Sequence, residues 1–278
     1  MRCKPNFTLF AAALAMASLA LPSRADELAE KGREIFRQNQ HAVVTVQEVL
    51  KMSPAGASRA NETKQELTGT VLDASGLTVL ALSACDPSEM YQRMMGEEYS
   101  RSRVETEITD IKILLDDGTE VPAEIVLRDK DLDLAFIRPK TKPASPMAAV
   151  DLTKSAPAQL LDQVITLNRL NSAAGRAYAA SVERVSAVVQ KPRTFYIPDS
   201  TMTSTTLGSP AFALDGNLVG MVVMRAVSSK GGASSNYREN LTSIILPAAD
   251  ILKAAKQAPA AKGDSEKKET PKDGKDAK

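Results

Sequence analysis

The sequence predicts an all-β protein of about a dozen short strands with few helices. From Ala42 onward, short runs rich in β-branched residues recur along the chain. Turn-forming clusters separate these runs, most clearly at residues 73–76, 116–118 and 214–217. Helical spacing appears at the two ends of this body, and residues 86–103 interrupt the strand pattern as an inserted helix or a mobile loop. The pattern suits a barrel or a sandwich, and strand spacing alone does not choose between them.

The order of elements follows from these runs. A short amphipathic helix is predicted over residues 26–41, where Leu28, Ile35 and Phe36 have helical spacing, and a closing helix over 247–256. Residues 53–65 are polar and predict a long exposed hairpin loop, whereas 140–157 hold three prolines and predict a connection. The predicted strands are residues 43–46, 67–72, 77–82, 107–115, 121–128, 132–138, 164–167, 178–189, 211–214, 218–225 and 241–246.

The two ends differ from the body. Residues 1–25 predict a cleaved export signal, because Arg2 and Lys4 precede an apolar run and Ser23 and Ala25 are the small residues before the cleavage point. An uncleaved anchor is the alternative, although the run is short and alanine-rich for a membrane span. Residues 257–278 are charged, with only Ala and Pro as apolar residues, and predict a disordered tail. These features indicate a periplasmic or secreted protein.

Charge and residue counts exclude several classes of function. The formal net charge is +1 at pH 7, and the export segment itself is basic, so the mature chain has no overall field to attract nucleic acid or an anionic membrane. Cys85 is the one cysteine after cleavage, so no intramolecular disulfide forms. One histidine, His41, and one cysteine do not make an ordinary zinc site. The acidic run 129–133 lacks the glycine and glutamate of a calcium loop. We therefore expect no metal and no cofactor.

Three segments carry a more specific signal. Residues 69–77 read Gly-Thr-Val-Leu-Asp-Ala-Ser-Gly-Leu and lead into 78–85; residues 131–137 read Asp-Leu-Asp-Leu-Ala-Phe-Ile. Residues 205–211 read Thr-Thr-Leu-Gly-Ser-Pro-Ala and lead into the Asp-Gly hairpin of 214–220. In this order they resemble the three catalytic segments of the trypsin-like serine proteases, especially the bacterial HtrA-like branch.

The resemblance extends over most of the chain, because 43–46 and 245–247 also resemble the family's first strand and closing segment. It implies two six-stranded antiparallel β-barrels of the chymotrypsin type, with short terminal helices. The first barrel would span residues 42–142, with an insertion at 86–103, and the second 143–256. No PDZ-like segment follows the second barrel in this sequence, so the chain resembles a degenerate HtrA-like member.

The family's catalytic triad does not survive in this resemblance. The matching positions of histidine, aspartate and serine are Ala84, Asp133 and Leu207. Acyl transfer needs a nucleophile and a base, and neither an alanine nor a leucine side chain can supply one. Asp133 without its histidine is expected to be a capping or hydrogen-bonded structural carboxylate.

The oxyanion turn of the family matches Thr205, Gly208 and Ser209. Thr205 stands where the family has glycine, and a β-branched residue resists unusual backbone angles. No substitute site is evident in the sequence. His41 should lie away from the cleft, Ser209 lacks a base, and Cys85 at an apolar strand end should be buried and inert.

The leading hypothesis is an exported pseudoprotease that binds protein or extended peptide, because the family recognises extended chains by pairing them with a strand edge. One alternative is an active serine endopeptidase with an unrecognised site. Another is a scaffold protein that uses the 86–103 insertion, whose methionines Met90, Met94 and Met95 could form a soft partner surface.

Overall fold

The computed structural model describes residues 24–54, 61–88, 104–199, 206–226 and 241–259. Most of the predicted export signal, insertion and charged tail lies outside these residues. The elements in chain order are α1 (Arg24–Asn39), a 3₁₀ turn (Gln40–Ala42), β1 (Val43–Pro54), β2 (Asn61–Val71), β3 (Thr78–Ala81), α2 (Leu82–Cys85), β4 (Val104–Leu114), β5 (Glu120–Asp129), β6 (Leu134–Pro139), β7 (Gln163–Arg169), a second 3₁₀ turn (Ser172–Ala174), β8 (Tyr178–Val189), β9 (Phe195–Pro198), β10 (Pro210–Ala213), β11 (Leu218–Ala226), β12 (Leu241–Pro247) and α3 (Ala248–Ala255).

The strands form two closed barrels. The first has the order β1-β2-β3-β6-β5-β4, and the second has the order β10-β11-β12-β9-β8-β7. Neighbouring strands are antiparallel throughout both barrels. The all-β prediction and the two six-stranded barrels are therefore confirmed. None of the helices described here is long and apolar enough to cross a membrane.

Alternation along the strands builds the cores. β1 turns Val44, Val46 and Leu50 toward the interior of the first barrel, all at most 6% exposed. Val43 faces the opposite way and joins a larger buried cluster that includes Phe136 of β6 and many residues of the second barrel. Because this cluster is continuous, the two barrels share apolar packing and do not stack as independent cores.

Three sequence expectations about strand boundaries were wrong. The predicted loop at 53–65 is largely strand, since β1 extends to Pro54 and β2 begins at Asn61. Their polar residues mark exposed strand ends, with Lys51 opposite Glu62. The predicted strand 77–82 ends at Ala81, where the α2 turn begins. Strand β9 was not predicted, although its Phe195 and Tyr196 are buried. It is only four residues long and ends in Pro198, which leaves too few residues to show the alternation of a strand.

A polar network at Asp116 ties the barrels together at one end of their interface. The Asp116 carboxylate accepts a 2.9 Å hydrogen bond from the Arg169 guanidinium, a second bond from the Tyr178 hydroxyl, and lies 2.7 Å from Nδ1 of His41. The Arg169 guanidinium also stacks 3.9 Å from the centroid of the Tyr178 ring. Although burial opposes ionisation, the hydrogen bonds from Tyr178 and His41 and the charge of Arg169 lower the pKa of Asp116.

Replacing Asp116 by alanine tests this network. Arg169 is only 8% exposed and would lose its ion pair, so we expect Asp116→Ala to lower the free energy of unfolding by about 1–3 kcal/mol. Asp117→Ala is the matched control, because the exposed Asp117 carboxylate accepts a hydrogen bond from the Thr119 amide of its own turn, and its loss should cost clearly less than that of Asp116. Urea denaturation followed by circular dichroism measures both. Equal losses would show that Asp116 does not couple the barrels.

Candidate functional site

A cleft of about 950 Å³ lies where the barrels meet. Its walls include Ser83 and Ala84 of α2 from the first barrel and Leu207 and Met224 from the second. The structure therefore brings two of the three triad-matching positions, Ala84 and Leu207, to a single cleft. His41 does not line it and lies instead in the Asp116 network, as the sequence predicted for a histidine away from the cleft.

Asp133, the third triad-matching position, lies just behind the cleft wall. Its Oδ1 accepts a 2.7 Å hydrogen bond from the Ser83 amide, and its Oδ2 accepts bonds of 2.8 Å from the Ser83 hydroxyl and from the Met224 amide. Its own carbonyl accepts from the Leu82 amide at 2.9 Å. The backbone of Asp133 adopts a left-handed conformation with φ 59°. These bonds fasten α2 to β11 across the barrel interface, which fits the structural role expected of this carboxylate.

The turn that bears the nucleophile-matching position is tightly packed. Leu207 is 6% exposed and belongs to the large shared core. Gly208 follows with φ +89°, and a Cβ there would lie 2.2 Å from the Thr68 carbonyl oxygen. Only glycine fits both the left-handed backbone and this close approach. The Gly208 carbonyl accepts a 2.7 Å bond from the Thr70 hydroxyl, so this turn too is anchored across the interface.

Of the two remaining positions of the oxyanion turn, the structure describes Ser209 but not Thr205. Ser209 is fully buried, and its hydroxyl has no hydrogen-bond partner among the described residues. Its backbone is fixed, since its amide donates to the Thr206 carbonyl and its own carbonyl accepts from the Val222 amide. Thr205 lies outside the described residues, so its effect on the turn stays a prediction.

Comparison with known proteins decides the family. Residues 35–221 match the model of the trypsin-like peptidase domain, a range that contains Ala84, Asp133 and Leu207. The chain belongs to this family. No curated protein matches the sequence.

Among solved structures, the trypsin-like domain resembles a serine-to-alanine variant of the HtrA-type protease AlgW, solved with a tripeptide. The TM-score is 0.51 at 16% sequence identity, and the match covers 80% of this chain and 61% of that one. At this identity the likeness shows the fold alone. This chain spans about three-fifths of the length of that protease.

Sequence reasoning missed a buried carboxyl at the cleft of this trypsin-like domain, that of Glu48. It lines the cleft region but is only 2% exposed, since β1 turns it inward next to Val46 and Leu50. Its Oε1 accepts a hydrogen bond from Gln65 Nε2, which also donates to the Ala84 carbonyl at 3.1 Å. Its Oε2 has no hydrogen-bond partner in the described part of the chain. The alternation of β1 could have revealed this carboxylate, because Glu48 falls in register with the apolar inward positions.

Burial raises the pKa of Glu48 to about 7, and the hydrogen bonds from Gln65 and from the Cys85 thiol only partly offset this effect. The thiol of Cys85 contacts the same carboxyl and is fully buried. Burial, followed by the charge of Glu48, raises the pKa of Cys85 far above its usual range. The cysteine is therefore unreactive while this corner stays closed, in agreement with the sequence expectation.

Replacing Glu48 by glutamine tests the buried carboxyl. Its folded-state pKa of about 7 exceeds the ordinary 4.5, so its protonated form stabilises the fold at low pH and this stability is lost as pH rises to about 7. The loss is on the order of 3 kcal/mol. Glu48→Gln should therefore match the native chain near pH 4.5 and exceed its stability at pH 8. The difference in free energy of unfolding from urea titrations at several pH values measures this.

The exposed carboxylate of Glu107 on β4 supplies the control, because Glu107→Gln removes one charge without touching the core. Its stability curve should run parallel to that of the native chain. A Glu48→Gln curve that also ran parallel, or a variant less stable at pH 8, would contradict the buried carboxyl described above.

Proposed function

We propose that this protein is an exported, catalytically inactive member of the trypsin-like family that binds extended segments of other proteins. One observation carries the proposal. The alkyl side chains of Ala84 and Leu207 line the cleft at the positions where the resemblance places the base and the nucleophile. Neither side chain has a lone pair, so neither can accept a proton or attack a carbonyl carbon.

The rest of the cleft offers no replacement pair. The lining residues include no histidine and no cysteine within the described part of the chain. Ser83 lies in the wall, but its hydroxyl donates to Asp133. Asp133 in turn is engaged by Ser83 and Met224, so its carboxylate is not left to orient an imidazole. A serine hydroxyl that has a carboxylate but no imidazole beside it lacks the base that the family's mechanism uses.

The cleft does offer backbone groups for binding. The Val222 amide donates to the Ser209 carbonyl, and the Val222 carbonyl accepts from the Gly208 amide. The Met224 amide donates to Asp133. The backbone groups of these alternate residues of β11 therefore point away from β12. Beyond that point β11 pairs only with β12 among the described strands. The carbonyl of Met224 and the backbone of Ala226 thus form an edge to which an extended chain can add.

Export is supported by the first 25 residues, with their basic start, apolar run and small residues at Ser23 and Ala25. We propose cleavage after Ala25 and a periplasmic or extracellular location. Such a location suits a binding protein without a disulfide, since an oxidising compartment allows disulfides but does not require them.

The absence of catalysis can be tested with a fluorophosphonate probe that labels activated serines. Because His41 does not line the cleft and bonds to Asp116 and Tyr178, no described serine has an imidazole base beside it. We therefore expect neither labelling nor casein degradation, with trypsin as the positive control. Peptide mapping of any labelled serine decides the matter: a modified serine in this chain would support the alternative of an active serine endopeptidase.

Binding can be tested with a permanently unfolded probe, reduced and carboxymethylated α-lactalbumin, against its native form. We expect selective binding of the unfolded form, with a dissociation constant of about 1 μM or lower by fluorescence anisotropy. Ala84→Arg fills the cleft and should weaken binding at least about tenfold. Ala180→Arg, on an exposed site of β8, is the control and should have no effect.

Two results would argue against a binding cleft. No binding to the unfolded probe would remove the proposed function. Binding that survives Ala84→Arg but is lost on deletion of residues 86–103 would instead favour the scaffold hypothesis.

A further inference from the structure

The corner of the first barrel that contains Glu48 is hydrogen-bonded to one wall of the cleft. The Gln65 side-chain amide donates hydrogen bonds to the Glu48 carboxyl and to the carbonyl of Ala84, which is a residue of that wall. The opposite end of the same short helix is held separately, because Ser83 is bonded through both its amide and its hydroxyl to Asp133. The α2 turn is therefore fastened at two points, of which only one depends on Glu48.

The groups around Glu48 do not compensate for the burial of a negative charge on its carboxyl. β2 contributes the amide of Gln65, and β4 places the apolar Ile111 directly opposite. The end of α2 contributes the thiol of Cys85 and, just beyond it, the carboxylate of Asp86, which disfavours a second negative charge. Arg128 of β5 is a cation whose field favours ionised Glu48, and its effect is smaller than that of burial.

Asp86 is itself held in place. Its Oδ1 accepts hydrogen bonds from the Ser88 hydroxyl and from the Thr106 hydroxyl on β4. The acidic neighbour therefore stays close to Glu48 while the barrel is closed. An ionised Glu48 would have one unpartnered buried oxygen and a second carboxylate nearby, an arrangement that hydration relieves.

We propose that Glu48 is a proton-controlled latch of the cleft wall: protonated, it keeps the Gln65–Ala84 corner closed, and ionised, it favours local opening of residues 84–86 to water. Opening is confined to this corner because the Ser83–Asp133 bonds do not depend on Glu48. Such sub-global opening needs far less free energy than unfolding of the barrel.

The latch would regulate the cleft, a consequence that rests on the proposed function. With the corner open, the Ala84 carbonyl is released and the wall next to Leu207 loses its shape. An extended chain should therefore bind more tightly when Glu48 is protonated. The coupling is reciprocal, so binding of the chain should in turn favour protonation of Glu48.

Cys85 reports the latch without any ligand, because it is fully buried against Glu48. The rate of its reaction with 4,4′-dithiodipyridine can be followed from pH 5 to 8 in the full chain carrying Cys3→Ser, which leaves one thiol. The same rate is measured for Glu48→Gln in this background. Dividing the native rate by the variant rate removes the intrinsic pH dependence of the thiol. Glu107→Gln, on the exposed face of β4, is the matched control.

We expect the ratio of the native rate to the Glu48→Gln rate to rise severalfold for each pH unit between about 5 and 7, with tenfold per unit as the limit for one proton, and to level off above pH 7. The Glu107→Gln variant should follow the native curve. A ratio that stays constant across this range would overturn the latch.

A second arm separates the latch from the proposed function. Binding of carboxymethylated α-lactalbumin should weaken from pH 5 to 7.5 in the native chain and change less in Glu48→Gln. A pH-dependent thiol rate with no binding at any pH would leave the latch standing and remove the proposed function. Binding that is equally pH-dependent in both proteins would overturn the regulatory role of Glu48.

Discussion

The carboxylate of Asp133 is the interaction on which the rest of the cleft depends. It lies in the turn before β6 of the first barrel, yet it accepts hydrogen bonds from Ser83 in the same barrel and from Met224 in the other. A single anionic group thus sets the distance between the two walls. Charge-assisted hydrogen bonds to backbone amides are stronger than neutral ones, which helps to hold the left-handed backbone of Asp133 in place.

The turn around Gly208 shows the same constraint from the other barrel. Gly208 approaches the Thr68 carbonyl so closely that no side chain fits, and its own carbonyl is bonded to Thr70. Leu207 beside it packs into the core shared by both barrels. The turn is therefore fixed by contacts across the interface, while Leu207 contributes packing. A fixed turn with an alkyl side chain is what we expect if the cleft serves for binding, as we propose.

Glu48 illustrates what a buried polar group adds to such a scaffold. An apolar residue at this position would give a more uniform core, since Val46 and Leu50 are its inward neighbours on β1. The carboxyl instead connects the core of the first barrel, through Gln65, to the backbone of the cleft wall. A change of charge in the core can then alter the shape of the surface, because the intervening bonds are short and specific.

The site could be predicted only in part from the sequence. The positions Ala84, Asp133 and Leu207 followed from the order of three segments, because each segment keeps its local turn and strand pattern. The boundaries of β2 and the short strand β9 did not follow, because polar composition reports exposure and not strand pairing. The inter-barrel network of Asp116 and Arg169 was also missed, since 53 residues separate the partners.

The sequence by itself determined the all-β class, the alternation of apolar residues along the strands, and the alkyl side chains of Ala84 and Leu207, which the resemblance matches to the triad base and nucleophile. These features are local, because they depend on residue type and on spacing within one segment. Only the tertiary structure decided that Asp133 bridges both walls, that Arg169 stacks on Tyr178, and that Glu48 is buried with one oxygen that has no hydrogen-bond partner among the described residues. Burial and pairing depend on which distant segments the closed barrels bring together, and no single segment contains that information.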